Sequence, residues 1–348
     1  MGLETFWFCI IVVVWAMYFL LEGFDFGVGM LLPFVPRSDE ERSTTLRTIG
    51  PVWNANEVWL VVAGGATFAA FPAWYATMFS GFYLALLLIL FFLIIRVVSF
   101  EWRSKSQSPR WRNTWSWANT IGSFGAALVW GIGLANLVGG VPIDSDGHYA
   151  GTFWDLFSPY TVGAGVAVVA LFAFHGATFL TLRTLGELHD RAEHAARRLA
   201  VPAAVLGAVY VAWTVAMAID RNDKDLFPPV LPAAVAIVAL ALAVVFVLRG
   251  RNRHAFTMTA LGIVAAVATL FTSLYPRVMV SSPDFGNSLT VEGAASSHYA
   301  LAVMSVVAVI SVPVVLLYQG WTYHVFRQRV GGREPAGDAD GLHPLPGD

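Results

Sequence analysis

The chain has 348 residues, of which 57% are hydrophobic and only 13% charged, with a formal net charge of −2. Together with a mean hydropathy of +0.64, this excludes an ordinary soluble domain and argues against a nucleic-acid partner. The single cysteine, Cys9, excludes an intrachain disulfide framework, and there is neither a C-x-x-C-H for covalent haem nor a His/Cys spacing for zinc.

A crossing of the hydrocarbon core needs about 20 mostly apolar residues. By that measure the sequence predicts nine spans, at 6–32, 52–71, 76–99, 117–139, 160–183, 201–218, 231–248, 255–275 and 299–321. The first is not expected to be a cleaved leader: no basic residue precedes it and no small-residue cleavage site follows it. Short loops leave no room for a soluble domain, so residues 1–330 read as a single transmembrane helical domain. The Gly/Pro/Asp-rich tail, 331–348, reads as disordered. The loops 140–159 and 276–298 are long enough to form lids. Within the first, Asp144-Ser-Asp-Gly147 lacks the spacing and closing glutamate of a calcium loop.

Orientation follows from arginine and lysine. Sixteen of the 21 basic residues fall in the loops 33–51, 100–116, 184–200 and 249–254 and the C-terminal segment, all on one side of the predicted topology. The other side holds only Arg221, Lys224 and Arg277, so the bias predicts an outer N-terminus and a cytoplasmic C-terminus.

The chemistry concentrates in two stretches, Glu22-Gly-Phe-Asp-Phe-Gly-Val-Gly-Met-Leu31 and Gly50-Pro-Val-Trp-Asn-Ala-Asn-Glu-Val-Trp-Leu60. Both place carboxylates inside membrane spans, where a charge demands a partner, a hydrated cavity or a proton. Gly23 and Gly27 form a G-x-x-x-G that permits close helix approach. Asp25 lies about 200° around the helix from them, on an acidic face shared with Glu22 and Gly29. Trp53, Asn54, Asn56 and Glu57 crowd the first turns of the second span, and Arg96 lies near the end of the third. Asp25, Glu57 and Arg96 are therefore expected at similar depth, with Arg96 the partner of Asp25. This is either an ion pair that fixes the bundle or a hydrated pocket that passes protons, and the two readings are compatible. No metal site is expected. His175, the one histidine deep in a span, is open to three roles: haem ligand, proton relay or hydrogen-bonded interface residue.

These acidic motifs resemble those of subunit II of the cytochrome bd quinol oxidases. Further matching stretches are Ala63-Gly-Gly-Ala66, Phe79-Ser-Gly-Phe-Tyr83, Arg110-Trp-Arg-Asn113, Gly139-Gly-Val-Pro142, Leu185-Gly-Glu-Leu-His189 and Asn287-Ser-Leu-Thr290, running in order along the chain. The resemblance implies an all-α polytopic fold of two helix bundles plus one extra helix, in a bacterial plasma-membrane oxidase that couples quinol oxidation to reduction of dioxygen to water. It implies a haem-bearing subunit I, holding two b-type haems and a d-type haem, as the partner of a haem-free chain that stabilises it and helps to supply protons. It leaves room for a bound quinone, small accessory subunits and membrane lipid. Two departures stand out: many members have aspartate where this chain has Asn54, and often an acid where it has Ser116. The alternative, from the buried charges alone, is a proton- or ion-coupled transporter using Asp25, Glu57 and Arg96. The lack of a second copy of the acidic motif in spans 5–9 counts against it.

Overall fold

The computed structural model describes residues 2–222, 225, 228–326 and 328–330; the expected disordered tail, 331–348, lies outside the described residues. The chain is a multi-pass helical membrane protein, in which eight described helices are long and apolar enough to cross a bilayer. In order, the helices are α1 Leu3–Leu31, α2 Asp39–Ile49, α3 Trp53–Ala70, α4 Pro72–Gly81, α5 Tyr83–Trp102, α6 Pro109–Gly139, α7 Pro159–Arg183, α8 Gly186–Arg221, α9 Val230–Leu248, α10 Asn252–Leu274, the single turn α11 Val291–Ala294 and α12 His298–Val325. The predicted second span is helical as α3, but Asn54, Asn56 and Glu57 keep its 18 residues out of the set of eight.

Local chemistry explains where the predicted boundaries shift. The span expected at 76–99 is broken at Phe82: α3 ends at Ala70, Pro72 opens α4 after Phe71, and α5 starts only after Phe82. Proline suits a first helical position, where its missing N–H has no partner to lose. The same device opens α6 and α7 at Pro109 and Pro159, the latter with a Ser158–Thr161 capping box. The sixth span, expected at 201–218, continues a charged helix that starts at Gly186, giving α8 36 residues and carrying Pro202 in its interior.

Helix α1 is central, packing against α3, α6, α7, α10 and α12, while α7 to α10 pack against one another. The contact between α1 and α7 is of backbone on backbone: a Cβ at Gly27 would lie 2.0 Å from the Phe172 carbonyl oxygen and 2.8 Å from Gly176 Cα. Gly23 faces the Phe172 ring in the same seam, as the G-x-x-x-G spacing predicts. By contrast, the most apolar window of α12 is only 6% buried within the chain.

The two long loops form one cap rather than two lids. Strands β1 (Arg277–Met279) and β2 (Leu289–Thr290) pair antiparallel, and Val141 N–H donates to the Val280 carbonyl at 3.0 Å. Asn287 Nδ2 donates to the Ile143 carbonyl at 3.3 Å. Asp144 Oδ1 accepts the Asp146 and His148 amides at 3.0 and 2.8 Å, so this carboxylate closes its own turn.

On the arginine-rich side, α2 is clamped. Ser38 and Glu41 form a capping box, Glu41 also takes the Arg37 amide, and its other oxygen pairs with Arg191 of α8. Partial burial pushes the Glu41 carboxyl up, but the Arg37 amide and Arg191 outweigh it and hold the pKa below the usual value. A depressed folded-state pKa stabilises above the unfolded value of about 4.3 and is lost as pH falls through the folded value. Thermal melting in detergent should therefore decline more steeply on acidification below about pH 5 for the native chain than for Glu41→Gln. Parallel declines would remove this role.

Candidate functional site

The two acidic stretches meet where α1, α3, α5 and α12 come together. Glu22, Asp25, Asn56 and Arg96 have no solvent exposure, and Glu57 retains 19% of its side-chain surface. Arg96 reaches this point because α6 lets α5 in closely: a Cβ at Gly122 would stand 2.6 Å from the Phe92 carbonyl and 2.9 Å from Arg96 Cβ. Its guanidinium lies 4.8 Å from the Phe26 ring centroid and 5.5 Å from that of Phe100.

The partners differ from those expected. Arg96 Nη1 donates to Glu57 Oε2 at 2.9 Å, and Arg96 Nη2 lies 3.4 Å from Glu22 Oε2, close enough to pair but without a hydrogen bond. Asp25 is instead hydrogen-bonded by Asn56, whose Nδ2 donates to Asp25 Oδ2 at 2.7 Å. The reason is rotational: a three-residue step turns a helix by about 300°, so Glu22 and Asp25 share a face but aim about 60° apart. Glu22 thereby meets α5 and Asp25 meets α3.

Asn56 is the junction. Its Oδ1 accepts Gln319 Nε2 at 3.1 Å and the Tyr323 hydroxyl at 2.7 Å, bringing α12 into the site. Gln319 and Tyr323 lie outside the expected set, although an amide in so apolar a helix is itself a signal. Asn54 and Trp53 are not in the cluster. Asn54 is exposed on α3, two positions and therefore about 200° from Asn56. Trp53 stacks on Phe100, with ring centroids 5.2 Å apart at 14°. At Ser116, where an acid was expected from the resemblance, the hydroxyl accepts Arg103 Nε at 3.0 Å. Asp39 of α2 supplies the carboxylate, pairing with Arg103 and, at 2.6 Å, with Arg112.

Several buried polar atoms around the cluster have no protein hydrogen-bond partner: both Glu22 oxygens, Asp25 Oδ1, Glu57 Oε1, Arg96 Nε and the Tyr18 hydroxyl. Ser123 Oγ and Asn119 Oδ1 extend the same polar seam along α6. A buried polar atom left without any partner costs about 1–3 kcal/mol, so this seam carries unmet hydrogen-bonding capacity inside the bundle. His175 lies apart, fully buried between α7 and α10. Its Nδ1 is 2.7 Å from Thr259 Oγ1 and its ring is stacked on Phe256 at 4.6 Å, so of its three open roles this geometry is that of an interface residue.

The comparisons with known proteins bear on this arrangement. The family model for cytochrome bd terminal oxidase subunit II matches residues 3–326. The chain is 40% identical to cytochrome bd ubiquinol oxidase subunit 2 of Bacillus subtilis (strain 168), over 96% of this chain and 98% of that protein. It is 36% identical to cytochrome bd-I ubiquinol oxidase subunit 2 of Escherichia coli (strain K12), over 92% and 93% respectively. Its fold is similar to a chain of the bd oxidase structure from Geobacillus thermodenitrificans, with a TM-score of 0.78 at 17% identity, over 94% of this chain and 99% of that one. With a match that spans all the described transmembrane helices and includes both acidic stretches, the chain belongs to the cytochrome bd terminal oxidase subunit II family.

Proposed function

We propose that this chain is the haem-free subunit of a cytochrome bd-type quinol oxidase in a bacterial plasma membrane. In this reading it stabilises a haem-bearing subunit I and gives protons access from the cytoplasmic side for reduction of dioxygen to water. The observation that carries the proton role is the buried cluster of three carboxyls and one guanidinium, Glu22, Asp25, Glu57 and Arg96. One guanidinium cannot neutralise three carboxylates, so protons or waters must supply the balance in a low-dielectric site. Glu57 is the partly exposed member and forms the entrance; Asp25 and Glu22 lie deeper.

The face offered to subunit I is that of α3 and α12. Gly64 and Gly65 of α3 have open space where a Cβ would stand, and small residues allow a second helix to approach closely. Helix α12 lies beside this face, fastened to the chain by Trp7 Nε1 at the Leu301 carbonyl and Ser305 hydroxyl (3.2 and 3.0 Å) and by the Asn56 junction. A nine-span topology with an outer N-terminus, from the arginine bias, puts Glu57 at the cytoplasmic end. The transporter reading has no observation of its own in its favour.

Purification from the native membrane under mild conditions tests the partnership. A second membrane subunit with b- and d-type haem spectra and quinol-driven oxygen uptake should accompany the chain. Gly65→Leu should leave the chain folded but reduce the co-purified haem several-fold. Full haem recovery with this variant would exclude the α3 face.

A further inference from the structure

A second feature lies away from the acidic cluster. Between α1, α6, α7 and α8 runs a cleft of about 980 Å³. Its walls are apolar, with Met30, Ile121, Phe124, Ala173 and Leu199 among them. One end is ringed by Arg37, Asp190, Arg191, His194 and Arg198. Arg191 is already held by Glu41 and Glu187. The exposed side chains of Arg37 and Arg198 make no ion pair or hydrogen bond among the described residues, against the single carboxylate of Asp190. Arg198 stands at the boundary where the charged start of α8 gives way to its apolar run, and Arg37 follows the end of α1. Unpaired guanidiniums therefore sit at headgroup level above an apolar slot.

We propose that this cleft seats one anionic phospholipid from the leaflet on the arginine-rich side, its phosphate between Arg37 and Arg198 and an acyl chain along α6 and α7. The volume lies near the top of the range of about 300–1,000 Å³ found for small-molecule sites. Arginine matches a phosphate through paired N–H donors, and basic pockets between transmembrane helices recognise anionic headgroups. The slot is lined by neither α3 nor α12, so it stays open to lipid whether or not that face carries a partner.

The test is native mass spectrometry of the full chain, with whatever subunits it retains, titrated with dioleoyl phosphatidylglycerol and dioleoyl phosphatidylcholine. The account predicts one tight phosphatidylglycerol, preferred by about tenfold or more. The preference should be abolished in Arg37→Gln/Arg198→Gln and kept in Arg197→Gln, whose guanidinium pairs with Glu193 outside the cleft. Ala173→Phe, which fills the slot without touching the rim, should lose the same lipid and covers the case in which the double variant fails to fold. Equal binding of the two lipids, a preference that survives Ala173→Phe, or an equal loss in Arg197→Gln would overturn the proposal. Displacement by inorganic phosphate as effective as by lipid would reassign the site to a free anion and overturn it as well.

Discussion

Arg96→Leu is expected to abolish accumulation of the assembled protein. The substitution leaves Glu22 fully buried and Glu57 largely buried, with no cation beside either. Removing one partner of a buried ion pair costs about 3–5 kcal/mol, because the remaining charge has lost its compensation. This is a large part of the total stability of a typical domain, about 5–15 kcal/mol. Leucine also forfeits the contacts of the guanidinium with the Phe26 and Phe100 rings. The triple variant Arg96→Leu/Glu22→Gln/Glu57→Gln should recover most of the protein, since it removes the charges that Arg96 exists to balance. Membrane yield and thermal melting of the three proteins would decide the matter. Full yield from Arg96→Leu alone would mean that water, rather than Arg96, balances the acids.

Gly27→Val should be nearly as damaging, by a steric rather than an electrostatic route. Any side chain at 27 collides with the backbone of α7 at Phe172 and Gly176, and backbone cannot rotate away as a side-chain tip can. Overpacking costs about 1–3 kcal/mol even where neighbours can adjust, and here α1 must separate from α7 along its length. Since α1 also carries Glu22 and Asp25, the separation would pull the acids from Arg96 and Asn56. The expected result is loss of folded protein on size-exclusion chromatography, with Gly64→Ala, on the open face of α3, as the tolerated control. A normal elution profile for Gly27→Val would contradict the close α1–α7 seam.

Much of this architecture is legible in the sequence because membrane helices announce themselves by apolar length. The G-x-x-x-G seam at Gly23 and Gly27 could be read from spacing alone, as could a charge cluster joining Glu57 to Arg96. The pairing within the cluster could not be read. Depth along a helix follows from counting residues, but which carboxyl meets which helix depends on rotations of about 60° and on where α5 lies, and neither is encoded locally. Assigning Arg96 to Asp25 rather than to Glu22 reflects that limit. Asn54 stood out through its polar neighbours, although helical periodicity turns it to the open face. The part played by Gln319 and Tyr323 arises from residues more than 260 positions from Asn56, which no motif spacing reveals. At Phe82 the hydropathy signal of the span expected at 76–99 ran across the boundary between α4 and α5.

The most direct test of proton access is quinol-driven oxygen uptake per haem in purified complex carrying Asp25→Asn. Asparagine at 25 retains an oxygen to accept the Asn56 Nδ2 hydrogen bond, so the junction with Gln319 and Tyr323 can persist while the ionisable group is lost. The account predicts haem content close to native and turnover per haem lower by about tenfold or more, the scale set by removing a positioned proton-transfer group. Native turnover at native haem content would contradict it and leave the cluster a structural ion pair.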